Sequence, residues 1–99
     1  MIFTNSRLIL PDGIRDGLEV VVEKRKISAI REQARTQREE IIDLRGNYLA
    51  PGFIDLHVHG ALGRDTMEAS AEAFQAVCDY HASGGTTSLL LTTATAPLD

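Results

Sequence analysis

The stretch Phe53-Ile54-Asp55-Leu56-His57-Val58-His59 limits what this chain can fold into more than any other feature. Strand side chains alternate between two faces, so Phe53, Asp55, His57 and His59 share one face while Ile54, Leu56 and Val58 share the other. The apolar face needs a cover, and the residues downstream supply one. Asp65, with Glu68 three residues on, reads as the capped start of a helix that runs to about Ser83. Met67, Ala71, Phe74, Val77 and Cys78 recur at helical spacing, and Gly84-Gly85 closes the helix. Thr86 to Thr95, rich in Thr, Leu and Ala, reads as a second strand. The order is therefore β-α-β, an α/β arrangement in which the helix packs on Ile54, Leu56 and Val58. The polar face is then left for the interior of a (β/α)-barrel, where active sites sit at the C-terminal ends of the strands.

His57 and His59 fall at that end. Their Cα atoms are expected ~7 Å apart at ~3.4 Å per residue. Two imidazoles at this spacing can converge on one ion, with bonds of about 2.0–2.1 Å for zinc. Gly60 and a Gly63-containing loop follow at once, so His57 and His59 are the candidate metal ligands. Asp55 shares their face but lies deeper, and reads as hydrogen-bonding support rather than a ligand. His81 reads as a cation or a packed ring near a helix C-terminus, and Asp65 as a cap. The single Cys78 cannot form an internal disulfide and fits a buried thiol.

Before the break at Pro51-Gly52 the grammar is different. Ile2-Phe3-Thr4 and Leu8-Ile9-Leu10 are short strands, and Pro11-Asp12-Gly13 turns the chain back. Leu18 to Glu23 and Ile27 to Ile30 form a second hairpin around the solvated turn Lys24-Arg25-Lys26. Ile41 to Leu44 and Tyr48 to Ala50 are brief strands around Arg45-Gly46-Asn47, where Gly and Asn tolerate positive φ. Arg31 to Glu40 is polar and reads as an exposed connector, either loop or short helix. Two regions are expected: an all-β unit over residues 1–50 and the β-α-β unit over 51–99.

Composition removes several functions. With a net charge of −4 and both signs interspersed, the chain has no basic stripe for a phosphate backbone, so nucleic acid is not expected as a partner. The longest apolar runs, Val20 to Val22 and Leu89 to Leu91, fall far short of the ~20 residues that span a bilayer. Met1 is followed by no basic segment and apolar core of a signal peptide, so a cytoplasmic location is expected.

Pro51 to Gly60 closely resembles the first-strand signature of the amidohydrolase superfamily, and residues 1–50 resemble the N-terminal part of that superfamily's small β-sandwich domain. Within it, His59 to Met67, and His81 to Ser88 leading into Thr92-Thr93-Ala94-Thr95, look like the branch that deacetylates amino-sugar phosphates. The resemblance implies the opening portion of a metal-dependent hydrolase (β/α)8 TIM barrel. It also implies a divalent metal, commonly zinc, with one or two ions left open. The substrate implied is a small N-acetylated amino-sugar phosphate that loses acetate, and the full-length enzyme could be a homodimer. The family's other ligands, its catalytic aspartate and its phosphate-gripping groups have no counterpart here, so no catalytic residue is assigned. A barrel needs ~250 residues, so the chain reads as part of something longer. Two alternatives stand beside this: an amidohydrolase acting on a cyclic amide or an N-acyl amino acid, and a non-catalytic interaction module that keeps the histidines as relics.

Overall fold

The β-branched clusters of the first half form seven short strands in the computed structural model, which describes residues 1–33 and 40–97. They are β1 (Ile2–Thr4), β2 (Arg7–Leu10), β3 (Gly13–Arg15), β4 (Leu18–Glu23), β5 (Lys26–Glu32), β6 (Ile41–Asp43) and β7 (Tyr48–Leu49). Two sheets result, one ordered β5-β4-β1-β6 and the other β3-β2-β7. Both expected hairpins are present. β2 and β3 pair antiparallel across Pro11-Asp12, and β4 and β5 pair antiparallel with Val20 opposite Ile30. Lys24 (φ 47) and Arg25 (φ 64) take the left-handed conformation that a tight two-residue hairpin turn demands.

β6 and β7 flank one turn yet join different sheets: β6 runs parallel to β1, and β7 parallel to β2. The left-handed residues of that turn are Arg45 (φ 52) and Gly46 (φ 79), not Asn47 as the sequence suggested. Asp43 explains the difference, because its Oδ1 accepts hydrogen bonds from the Arg45 backbone N–H (2.8 Å) and from Asn5 Nδ2 (2.9 Å). Those two bonds, the Arg45 one foremost, hold the Asp43 carboxyl below its ordinary value of 3.8. A carboxyl with a lowered folded pKa stabilises fully above the unfolded value and loses that contribution as pH falls through the folded one. The turn should therefore loosen below about pH 4. An acid titration of the Arg45 amide resonance checks this: it should shift in the native chain and stay flat below pH 4 in Asp43→Asn.

The core of this first unit, Met1–Pro51, is built from Ile2, Leu8, Val20 and Val21, all 5% exposed or less. β1 and β4 hold the middle of the larger sheet; consecutive residues Glu19, Val20 and Val21 of β4 are buried on both faces, whereas in β1 Ile2 and Thr4 are buried and Phe3 between them is half-buried. Glu19, at 1% exposed, is matched by Arg31 Nε at 2.6 Å, as a buried charge requires. Arg31 and Glu32 belong to β5 rather than to a connector, and residues 34–39 of that expected connector lie outside the described residues.

The second unit, Gly52–Asp99, contains β8 (Phe53–Val58), β9 (Gly60–Ala61), β10 (Arg64–Asp65), a 3-10 turn (Thr66–Glu68), α1 (Ala71–Ser83) and β11 (Thr86–Leu91). β8 and β11 run parallel, with Val58 opposite Leu91, so the β-α-β order is present. Among the described residues this parallel sheet has two strands.

Three local expectations need correction. First, the helix does not start at Asp65. The capping box forms, with Asp65 Oδ1 accepting from Met67 N and Glu68 Oε1 from Asp65 N, each at 2.7 Å, but it caps only the 3-10 turn. Ala69 then turns left-handed (φ 49), and Ser70 caps α1 by accepting from Ala73 N at 3.1 Å. A serine is as good a cap as an aspartate, and the later cap starts the longer helix. Second, the last strand ends at Leu91 rather than Thr95, because its ladder partner β8 ends at Val58. Third, the apolar face of β8 is covered only at its end: Val58 is buried, whereas Ile54 and Leu56 are 70% and 69% exposed. α1 packs through Ala73 and Val77 against β9, β10 and β11, which leaves the first half of β8 uncovered. No helix among the described residues is long and apolar enough to cross a membrane.

Candidate metal centre

β8 delivers His57 within the strand and His59 one residue beyond it, on the same side. Their rings meet. His57 Nε2 lies 2.9 Å from His59 Nε2, with ring centroids 4.8 Å apart and planes tilted by 59°. Both residues are exposed, so the shared point between the two nitrogens is open to solvent. Two nitrogens bound to one zinc at about 2.0–2.1 Å each can be no more than ~4.2 Å apart, and the observed separation lies inside that limit. Each Nε2 can offer a lone pair to a cation when the ring proton sits on Nδ1, and imidazole donors suit zinc and its neighbours, so the donor set fits a divalent metal of that kind.

The backbone that carries the two rings is tied down at several points. Asp55, half-buried on the same strand face, accepts a hydrogen bond from the His57 backbone N–H through Oδ1 at 3.1 Å. The His59 carbonyl accepts from Thr66 N at 2.8 Å, and the Val58 carbonyl accepts from Thr92 N at 2.8 Å. Thr66, 3% exposed, completes the circuit by donating its hydroxyl to the Thr92 carbonyl at 2.5 Å. Gly60 follows His59 and opens a hairpin of β9 and β10 that reverses at Leu62 (φ 52) and Gly63 (φ 75). A Cβ on Gly60 would sit 2.1 Å from the Arg64 carbonyl oxygen, so only glycine allows this close approach of backbones. Arg64 in turn pairs with Glu68 at 2.9 Å.

The other residues considered from the sequence stand apart from the pair. His81 lies in the last turn of α1, edge-on to Tyr80 with centroids 5.4 Å apart. Asp65 serves the 3-10 turn as its cap, and Cys78 is half-buried on α1. Among the described residues no third His, Cys, Asp or Glu joins His57 and His59 in a group that could hold a metal. Thr66 and Ser70 were not singled out in the sequence. Ser70 carried a usable signal, a capping residue directly before a helical run. Thr66 carried none, since its partner Thr92 is 26 residues away.

No family model matches the chain, but individual proteins do. It is 32% identical over 103 residues to a dihydroorotase of Lactococcus lactis subsp. lactis, a match covering 99% of this chain and 23% of that protein. A solved amidohydrolase structure superposes on 59% of it with a TM-score of 0.53 and 33% identity, using 15% of that structure's chain. Along nearly its whole length the chain resembles members of the amidohydrolase superfamily. Within that superfamily its relatives include the N-acetylglucosamine-6-phosphate deacetylases. Identity is 33% over 99 residues with that of Lysinibacillus sphaericus, covering 100% of this chain and 26% of the relative. It is 37% over 84 residues with that of Vibrio furnissii, covering 85% and 21%. The crystal structure of N-acetylglucosamine-6-phosphate deacetylase from Pasteurella multocida matches 97% of this chain and 26% of its own, with a TM-score of 0.84 and 33% identity. The chain thus spans about a quarter of the length of the curated relatives it matches.

Proposed function

We propose that this chain supplies the first metal-binding strand of a metal-dependent amidohydrolase that converts N-acetylglucosamine 6-phosphate and water to glucosamine 6-phosphate and acetate. The observation that carries the reading is the convergence of His57 Nε2 and His59 Nε2 at 2.9 Å, in a chain whose relatives by sequence and fold carry that deacetylase name. On this reading Gly52–Asp99 is the opening β-α-β of a (β/α)8 barrel, and Met1–Pro51 is the N-terminal part of a small β-sandwich domain.

His57 and His59 would hold the divalent cation, zinc being the commonest choice for imidazole donors of this kind. When bound, such a cation supplies Lewis acidity toward an amide carbonyl and a lowered pKa for water. The chain's own contribution is to hold two imidazoles with both Nε2 atoms facing one point, on a strand end braced by Asp55, Thr66 and Thr92. A catalytic zinc takes about three protein ligands and an open position, so residues outside this pair must complete the site. The 99-residue polypeptide by itself is therefore expected to bind metal without turnover.

A second reading is kept because a dihydroorotase matches almost the whole chain: the same histidines in an enzyme that opens a cyclic amide. Assaying the longest open reading frame that contains this sequence separates the two. Acetate release from N-acetylglucosamine 6-phosphate, with no ring opening of dihydroorotate, supports the deacetylase. Ring opening without acetate release overturns it.

A further inference from the structure

We infer that Thr66 is the positioning residue of this metal centre, setting the direction of the His59 imidazole through its hydroxyl. The inference rests on the metal-binding reading of His57 and His59 and goes beyond it. Thr66 is 3% exposed and joins the end of β8 to the segment after β11. Its N–H fixes the carbonyl of His59 (2.8 Å), and its hydroxyl fixes the carbonyl of Thr92 (2.5 Å), the first residue past β11. Thr92 N–H then fixes the carbonyl of Val58 (2.8 Å), the last residue of β8. The bonds form a closed loop: Val58 and His59, joined by a peptide bond, connect through Thr66 and Thr92 back to Val58.

A closed loop of this kind has a purpose that the strand ladder cannot serve. β8 ends at Val58, so His59 lies beyond the last ladder position and, without a tie on its carbonyl, its φ would be free to swing. Rotation there carries the His59 ring away from His57, whose own backbone is held separately by Asp55 at 3.1 Å. The neighbouring residue reinforces the tie, because Met67 Sδ accepts from Ala94 N at 3.3 Å. Residues 66 and 67 therefore grip the segment after β11 at two points while holding the carbonyl of His59. Partners that orient a ligand without touching the metal typically change affinity by about 10–100-fold when removed.

Zn2+ titration of the chain against a chromophoric chelator, run on the native sequence, Thr66→Val, Thr66→Ser and His57→Ala, tests this. Valine keeps the shape of threonine and deletes the hydroxyl; serine keeps the hydroxyl and deletes the methyl. Thr66→Val should weaken Zn2+ binding about tenfold, at the lower end of that range, and shift the His59 ring proton resonances of the metal-free chain. Thr66→Ser should bind within about twofold of native and leave those resonances in place. A role in packing alone predicts the opposite ranking, so loss with serine and retention with valine overturns the inference. If valine does not fold, loss of binding in the folded serine variant overturns it equally. Equal binding by all Thr66 variants, with His57→Ala still abolishing it, refutes the positioning role and leaves the metal reading standing. No binding by the native chain refutes both.

Discussion

Replacing His57 and His59 together by alanine should abolish Zn2+ binding while leaving the fold of the second unit intact. Both side chains are exposed, so their removal opens no cavity and strands no buried partner. What is lost is the pair of nitrogens that face each other at 2.9 Å. Removing a ligand costs more than disturbing its support, so the drop should exceed about a hundredfold, the upper end of the effect seen for supporting partners. Each single variant leaves one imidazole on a solvent-open site and should lose most of the affinity as well. Isothermal titration with Zn2+ reads the affinity, and circular dichroism of the same samples reads the fold. An unchanged titration in the double variant sinks the assignment.

Gly60→Ala should be the most damaging small substitution near the site. A methyl group there would lie 2.1 Å from the Arg64 carbonyl oxygen and 3.2 Å from Asp65 Cα, and both obstacles are backbone. A flexible side chain could move aside; the hairpin partner cannot without breaking the Gly60–Asp65 and Ala61–Arg64 pairings. Overpacking typically costs 1–3 kcal/mol, and with no soft neighbour the effect should fall near ~3 kcal/mol. The consequence reaches the metal, because shifting β10 also moves Thr66, whose N–H holds the His59 carbonyl. Zn2+ affinity should fall together with the chemical denaturation midpoint. A variant with native stability and native affinity would show that the hairpin yields more easily than its geometry implies.

Much of this was readable from residue order, and the reasons are local. Alternation in Phe53 to His59 placed both histidines on one side, because strand geometry leaves no other outcome. The hairpins around Pro11-Asp12-Gly13 and Lys24-Arg25-Lys26 followed from turn chemistry, although Gly13 and Lys26 already belong to the returning strands, and the places of β1 and β2 followed from the clusters Ile2-Phe3-Thr4 and Leu8-Ile9-Leu10. Misreadings arose where two local signals competed or where distant chain decided. Asp65 and Ser70 both offer caps five residues apart, and only the structure shows that Ala69 turns left-handed between them. The exposure of Ile54 and Leu56 depends on where α1 lies, which residue spacing does not specify. β6 and β7 looked like neighbours across a turn, but each found its partner among residues near the start of the chain. The loop of bonds through Thr66 and Thr92 spans 26 residues and had no sequence signature at all.

The central claim is that His57 and His59 hold one metal ion between them. Crystals grown with zinc, with data collected on both sides of the zinc absorption edge, test it most directly. The claim requires an anomalous peak bonded to both Nε2 atoms at about 2.0–2.1 Å. An anomalous map with no peak between the two rings, at saturating zinc, would contradict it.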